Sequence, residues 1–288
     1  MDLSIVIVNF NTKDLTKQTI DTVCESTENI DYEIIVADNS TNPVESYYPN
    51  DTRVKLIKDL PNNGFGNACN IGTAKAIGRY VLYLNSDTLI GKGTLEKCVK
   101  YMDENHDIGC LGIKTVLPDG KLDHGCKRGF PTPWNSLCYV LGLDRLFPEN
   151  KKFGGYRLSY LSENETNEVD SVSGAFMLIP RAILSKSGGF DESIFMYGED
   201  IDLCYRIKNM GFKVVYYAEG LMIHLKGQSG LNTKNKVVIK HFHNGLRVFY
   251  DKYYKEKYSA LVTFLMHTAI NLHYCLSLIR AFVFGKRL

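Results

Sequence analysis

The sequence predicts an α/β fold, a mostly parallel sheet with helices on both faces. Three observations carry this. Short β-branched apolar runs alternate with stretches of helical spacing through the first half of the chain. The runs are apolar almost throughout, as strands covered on both faces require. Polar clusters follow the ends of the runs, where open α/β sheets keep their ligands.

Taken in order, residues 3–8 read as the first strand. Met1-Asp2 supplies neither a basic n-region nor a small-residue cleavage site, so a signal peptide is not expected. A helix at 15–24 leads to strands at 33–37 and 54–57. A helix at 67–77, a strand at 80–84, a helix at 94–102 and a strand at 109–115 continue the alternation. Residues 118–170 are rich in Gly, Pro, Asn and aromatics with weak periodicity, and read as an insertion or lid. Structure resumes at 172–179, followed by a helix at 200–209 and a strand at 213–217. Two helices, 236–254 and 259–284, form the tail.

The 288 residues are 44% hydrophobic and 23% charged, which excludes a disordered, collagen-like or wholly membrane-embedded chain. The net charge of +2 is a cancellation: residues 1–233 carry −6 and residues 234–288 carry +8. Eight scattered cysteines, none in C-x-x-C spacing, read as reduced and structural, which fits the cytosol. In the last helix Leu261, Leu265, Leu272, Leu276, Ile279 and Val283 share one face, while His267, Asn271, His273 and Arg280 fall on the other half. That pattern favours a helix lying in a membrane interface; packing on the body, dimerisation and a membrane span are the alternatives.

Four polar clusters follow expected strand ends. Asp38, in IIVADNS, can accept hydrogen bonds from a base or a sugar, and suits a turn or helix cap equally well. The segment from Asn62 to Gly72 lets backbone approach a ligand at Gly64 and Gly66 and then opens a helix. Asn85-Ser86-Asp87 puts one acid where a divalent cation could bridge two phosphates, or where an Asx turn could form. Glu199, Asp200 and Asp202 open a helix, where their repulsion calls for a cation, a proton-transfer role or a partner such as Arg206. His224 ends another apolar run, and its candidacy depends on nearness to Asp87.

In this order SIVIVNFNT, IIVADNS, NNGFGNACNIG, YVLYLNSDT, SGAFMLIPR and GGFDESIFMYGEDIDLCYRIKNMGFKVVYYAEGLMIHLKGQS resemble the inverting nucleotide-sugar glycosyltransferases of family 2. The nearest likeness is to the bacterial rhamnosyltransferase-like branch. The resemblance implies a GT-A (Rossmann-like) domain over 1–233, with 118–170 as an acceptor-side insertion; by charge and helical pattern, 234–288 read as a basic, amphipathic helical tail that associates with membrane or dimerises. It implies that Asp38 meets the nucleotide base and that Asn9, Asn63, Gly64, Asn67, Asn85 and Ser86 flank the nucleotide. Asp87 and His224 would hold Mg²⁺ or Mn²⁺, Asp200 would be the catalytic base, and Glu199 and Asp202 would support it. Asn85 stands in place of the first acid of D-x-D, consistent with a weakly held metal. The Q-x-x-R-W pattern of processive polymerases is absent, since Cys204-Tyr205-Arg206-Ile207 follows instead.

The implied donor is a nucleotide sugar, dTDP-L-rhamnose by branch and a UDP-sugar as the alternative. The implied acceptor is a glycan or polyprenyl-linked glycan of the cell surface, met at the inner face of the cell membrane. A non-catalytic membrane-associated scaffold is the rival from another class. A nicotinamide oxidoreductase is disfavoured because Asn9-Phe10-Asn11-Thr12 follows the first strand without a glycine fingerprint. Nucleic-acid binding is not expected, because the basic excess adjoins an apolar helix rather than an aromatic-interleaved groove.

Overall fold

The computed structural model describes residues 1–48, 50–226 and 236–284. The expected 233/234 boundary and residues 227–229 of the last matching segment lie outside them. In chain order the elements are β1 (Leu3–Asn9), α1 (Lys13–Ser26), β2 (Tyr32–Asp38), β3 (Val54–Ile57), α2 (Phe65–Thr73), β4 (Tyr80–Asn85), β5 (Thr88–Ile90), α3 (Thr94–Glu104) and β6 (Ile108–Val116). Then come α4 (Pro133–Val140), α5 (Leu143–Leu146), β7 (Asn167–Val169), β8 (Phe176–Pro180), α6 (Arg181–Ser187), α7 (Glu199–Asn209), β9 (Lys213–His224), α8 (Lys236–Tyr253) and α9 (Ala260–Phe284).

The strands form one sheet in the order β3-β2-β1-β4-β8-β6-β9-β5, with β7 paired to β9. β1, β2, β3 and β4 run parallel; β8 is inverted between β4 and β6; β9 runs parallel to β6. Six strands therefore share one direction, while β5, β7 and β8 oppose them.

The near-continuous apolar strands have the expected cause. Alternate side chains enter different cores, as the two-residue strand period dictates. Leu3, Ile5 and Ile7 of β1 face one core with Ile20 and Val23 of α1 and Leu95, Val99 and Met102 of α3. Val6 and Val8 face the other with Ala68 and Cys69 of α2, Ile183 and Leu184 of α6, and Leu203 and Ile207 of α7. A third cluster joins Ile201 and Tyr205 of α7 to Phe249 and Tyr250 of α8.

Residues 118–170 carry α4, α5 and β7, and β7 ties their end into the sheet. All eight cysteines are free; six are buried, Cys24 is half-buried and Cys275 is exposed.

α9 packs on α8 through polar groups. His267 Nε2 lies 2.8 Å from Asp251 Oδ1, His273 Nδ1 lies 2.9 Å from His243 Nε2, Tyr250 and Thr263 hydroxyls are 3.1 Å apart, and Arg247 donates to Asn271. Leu261, Leu265, Leu272, Leu276 and Ile279 are all more than half exposed. The span Ala260–Val283 is long and apolar enough to cross a membrane. Unlike the helices of the body, α9 leaves a long apolar row facing outward and contacts α8 largely through polar groups, with Met266 and Ile270 among the apolar residues on its covered side.

Candidate active site

A cleft of about 350 Å³ opens beyond the carboxyl ends of β1 and β4. Val8, Phe10, Thr12, Gly64, Phe65, Asn85, Ser86, Phe195, Tyr197 and Glu199 are among its lining residues. Polar contacts join two further sets of lining residues: Asp87, Asp123, His224 and Lys226 in one, Arg128, Gly174 and Asp200 in the other.

Sheet register creates the first group. β4 ends at Asn85, and Thr88 Oγ1 closes the turn by donating to the Asn85 carbonyl at 2.9 Å. β5 then pairs antiparallel with β9, setting Thr88 opposite His224, and Leu225 N donates to the Asp87 carbonyl at 2.8 Å. His224 Nε2 consequently lies 3.2 Å from Asp87 Oδ1. Asp87 Oδ1 is buried, and among the described residues His224 is its ion-pair partner. His224 Nδ1 lies 3.1 Å from Asp123 Oδ2, and Lys226 Nζ donates to Asp123 Oδ1 at 2.7 Å.

Burial disfavours a charged imidazole, but Asp123 and Asp87 outweigh it and push His224 up to about 9. Asp123 is likewise desolvated, yet His224 and Lys226 hold its carboxyl far below the usual range. A proton on His224 thus supplies the positive charge that this pocket favours, and a cation bound there would release it. A buried carboxylate oxygen 3.2 Å from an imidazole nitrogen, once that nitrogen has lost its proton, fits a hard or borderline divalent ion. Among the described residues there is no group of three or more His, Cys, Asp or Glu able to hold a metal, so such an ion would need oxygens from its ligand.

The second group sits on the first turn of α7, where Gly198 turns the chain at φ 101° and three acids meet the positive end of the helix dipole. Asp200 is bound tightly. Its Oδ2 accepts from Arg128 Nη2 at 2.6 Å and from Gly174 N at 3.0 Å, and its Oδ1 accepts from Ile201 N at 2.8 Å. Burial works against the charge of Arg128, but Asp200 reverses the balance and holds the guanidinium firmly protonated.

Glu199 is the contrasting neighbour. Its carboxyl is buried, Oε2 has no hydrogen-bond partner among the described residues, and desolvation reinforced by Asp200 pushes it up to about 8. Folding therefore favours protonated Glu199, and this contribution fades as pH rises from the usual 4.5 through about 8. We expect Glu199→Gln to flatten the fall of melting temperature between pH 5 and 8 relative to the parent chain. Parallel melting curves across that range would contradict the assignment.

The remaining expected residues divide. Asn85, Ser86, Gly64, Asp87, His224, Glu199 and Asp200 line the cleft. Asn9, Asp38, Asn63, Asn67 and Asp202 are not among its lining residues. Asn9 Nδ2 donates to Asp38 Oδ1 at 3.0 Å, and its Oδ1 accepts from Thr12 and Thr16. Asp38 also accepts from Ser40 N at 3.0 Å, a turn contact. Asn63 is exposed, and Asn67 Nδ2 donates to Glu192 Oε2 at 2.8 Å. Asp202, fully buried, accepts from Arg206 Nε at 2.8 Å, Lys252 Nζ at 2.7 Å and Tyr253 Oη at 2.6 Å, tying α7 to α8. Sequence reasoning missed Asp123, Arg128 and Lys226. The first two sit in the aperiodic 118–170 segment, whose only signal was the charge-dense run Asp123 to Arg128.

The family model for glycosyl transferase family 2 matches residues 4–178, more than half of the chain. An N-acetylglucosaminyl-diphospho-decaprenol L-rhamnosyltransferase of Mycobacterium tuberculosis is 28% identical over 193 residues, covering 63% of this chain and 61% of the relative. Rhamnosyltransferase WbbL of Escherichia coli is 24% identical over 241 residues, covering 76% and 82%. This chain thus spans only about three fifths of the mycobacterial relative's length.

Among solved structures, GalNAc-T7 with UDP, GalNAc and Mn²⁺ superposes with a TM-score of 0.59 at 18% identity, over 88% of this chain and 49% of that one. S. aureus TarS 1-349 in complex with UDP-GlcNAc gives 0.55 at 17%, over 85% and 65%. These likenesses carry the fold, the GT-A architecture expected from sequence. With its family match running from β1 into β8, and with the cleft at the strand ends where that fold keeps its ligands, the chain belongs to glycosyl transferase family 2.

Proposed function

We propose that the protein transfers a sugar from a nucleotide-sugar donor to a hydroxyl of a glycan or lipid-linked glycan, inverting the anomeric centre. The observation that carries this reading is one cleft lined by both an Asp87–His224 pair and the Arg128-bound Asp200. The pair suits a diphosphate and the lone bound carboxylate an acceptor hydroxyl. Asp200 takes the hydroxyl proton as the oxygen attacks the anomeric carbon, and the nucleoside diphosphate leaves from the opposite face. Arg128 and the Gly174 amide fix the carboxylate in place, so proton transfer needs little reorganisation. Asp87 and His224 would hold Mg²⁺ or Mn²⁺, which when bound neutralises charge on the leaving phosphate. No covalent enzyme nucleophile is required.

The rhamnosyltransferase names of the bacterial relatives favour dTDP-L-rhamnose, and the decaprenol named for one favours a polyprenyl-linked acceptor. The structural likenesses captured with UDP or UDP-GlcNAc keep UDP-sugars as the second reading. We assign residues 1–233 to catalysis, with 118–170 on the acceptor side, and the α8–α9 tail to peripheral membrane association on the cytoplasmic side.

A thermal-shift panel of nucleotide sugars with and without Mn²⁺ tests the donor site. At a hundred times its dissociation constant, the true donor should raise the melting temperature by roughly 5–10 °C. The Mn²⁺-dependent part of that rise should vanish in Asp87→Ala. Failure of every nucleotide sugar to stabilise the chain would refute the donor site.

A further inference from the structure

No residue of α8 lines the cleft, yet α8 braces the segment that forms its acid-bearing wall. Gly245, inside α8, lies so close to Tyr197 that an added Cβ would stand 2.0 Å from the Tyr197 carbonyl oxygen. Phe195 stacks on His241 with ring centroids 4.2 Å apart, and Tyr197 meets Phe242 edge-on at 6.0 Å. Tyr197 has φ 66° and Gly198 φ 101°, so a non-glycine residue is held in the left-handed region two positions before Glu199. On the far side of this wall the Phe195 carbonyl accepts Phe65 N at 3.0 Å, at the start of α2. Lower down α8, Lys252 Nζ bridges Asp191 Oδ2 at 2.6 Å and Asp202 Oδ1 at 2.7 Å. Segment 191–202 is therefore gripped at both ends by one helix of the tail.

We propose that Gly245 and Lys252 are positioning residues: through Tyr197, Asp191 and Asp202 they set the placement of Glu199 and Asp200 and so the rate of sugar transfer. This inference rests on the transferase reading above. Its physical content is local. A side chain at 245 must displace the wall. Loss of the 252 ammonium removes the bridge between Asp191 and Asp202 and leaves Asp202 to Arg206 and Tyr253. The contacts described for the Asp87–His224 pair include neither residue.

The test uses the full chain with Gly245→Ala, Lys252→Met and Lys252→Arg. In Gly245→Ala and Lys252→Met we expect kcat to fall at least about tenfold, with nucleotide Kd within twofold of the parent by calorimetry. Lys252→Arg should recover most of the rate. Hydrogen exchange supplies a readout independent of activity: amides 195–202 should exchange at least about tenfold faster in Gly245→Ala, with β1 and β4 unchanged. Unchanged exchange at 195–202, or a loss spread evenly over the fold, would overturn the positioning role. So would parental kcat in an active enzyme. An inactive parent chain would instead count against the transferase reading, leaving the exchange result to decide the positioning.

Discussion

Asp200→Asn is expected to lower the sugar-transfer rate by about 10²–10⁴-fold, the usual worth of a general base, with nucleotide affinity nearly unchanged. The substitution keeps the side chain's shape but removes its capacity to take a proton. It also disturbs a packed set of donors. One Asp200 oxygen faces Arg128 and Gly174 N, and the other faces Ile201 N. An Asn amide satisfies one side and opposes its own N–H groups to the other. Removing one member of a buried ion pair commonly costs about 3–5 kcal/mol, so a lower melting temperature is expected as well. Rates and calorimetry must therefore be taken well below the variant's transition. The double variant Arg128→Met, Asp200→Asn separates the two effects: it should regain stability without regaining rate. Equal loss of rate and nucleotide binding in the folded single variant would remove Asp200 from the base role.

Replacing Leu261, Leu265 and Leu272 by Ser is expected to weaken binding to anionic vesicles by about 100-fold, taking roughly 1 kcal/mol per inserted leucine. All three project from the side of α9 away from α8, and each is more than half exposed. Residues 234–288 add a charge of +8, and each basic group near an anionic surface contributes about 1 kcal/mol. Parental binding should accordingly weaken with salt, while the triple variant should bind poorly at every ionic strength. Vesicle co-sedimentation measures both. A triple variant that binds vesicles as the parent does would refute the membrane role. So would one that only changes from dimer to monomer, which would assign the face to a second copy of the chain.

Most of the strands legible in sequence were those buried on both sides. β1, β2, β4 and β6 fall within one or two residues of their apolar runs, because covered strands leave an unbroken apolar signal, while the part-exposed edge strand β3 was legible from its apolar alternation alone. Three-residue β5 left no such mark, and β9 runs on to His224 instead of ending at Tyr217. That hidden pairing is what brings His224 to Asp87, so sequence named both residues without showing the ladder that joins them. Arg128 was illegible for a related reason. Its partner Asp200 is 72 positions away, and no periodicity in 118–170 points to the contact. Asp38 illustrates the reverse case: a carboxylate at a strand end has two chemistries open to it from sequence, and only the structure shows that its Oδ1 accepts from Asn9 and Ser40.

The distribution of thiols gives the outward apolar row of α9 a practical consequence. Six cysteines are buried, Cys24 is half-covered, and Cys275 alone is exposed, on the same outward side of α9 as Leu272, Leu276 and Ile279. Thiol-directed chemistry on the folded protein is therefore steered to the surface whose surroundings are in question. The native sequence is its own single-site reporter: a polarity-sensitive label at Cys275 registers whether that side of the helix meets water, lipid or another chain, with no engineered residue and no change to the cleft.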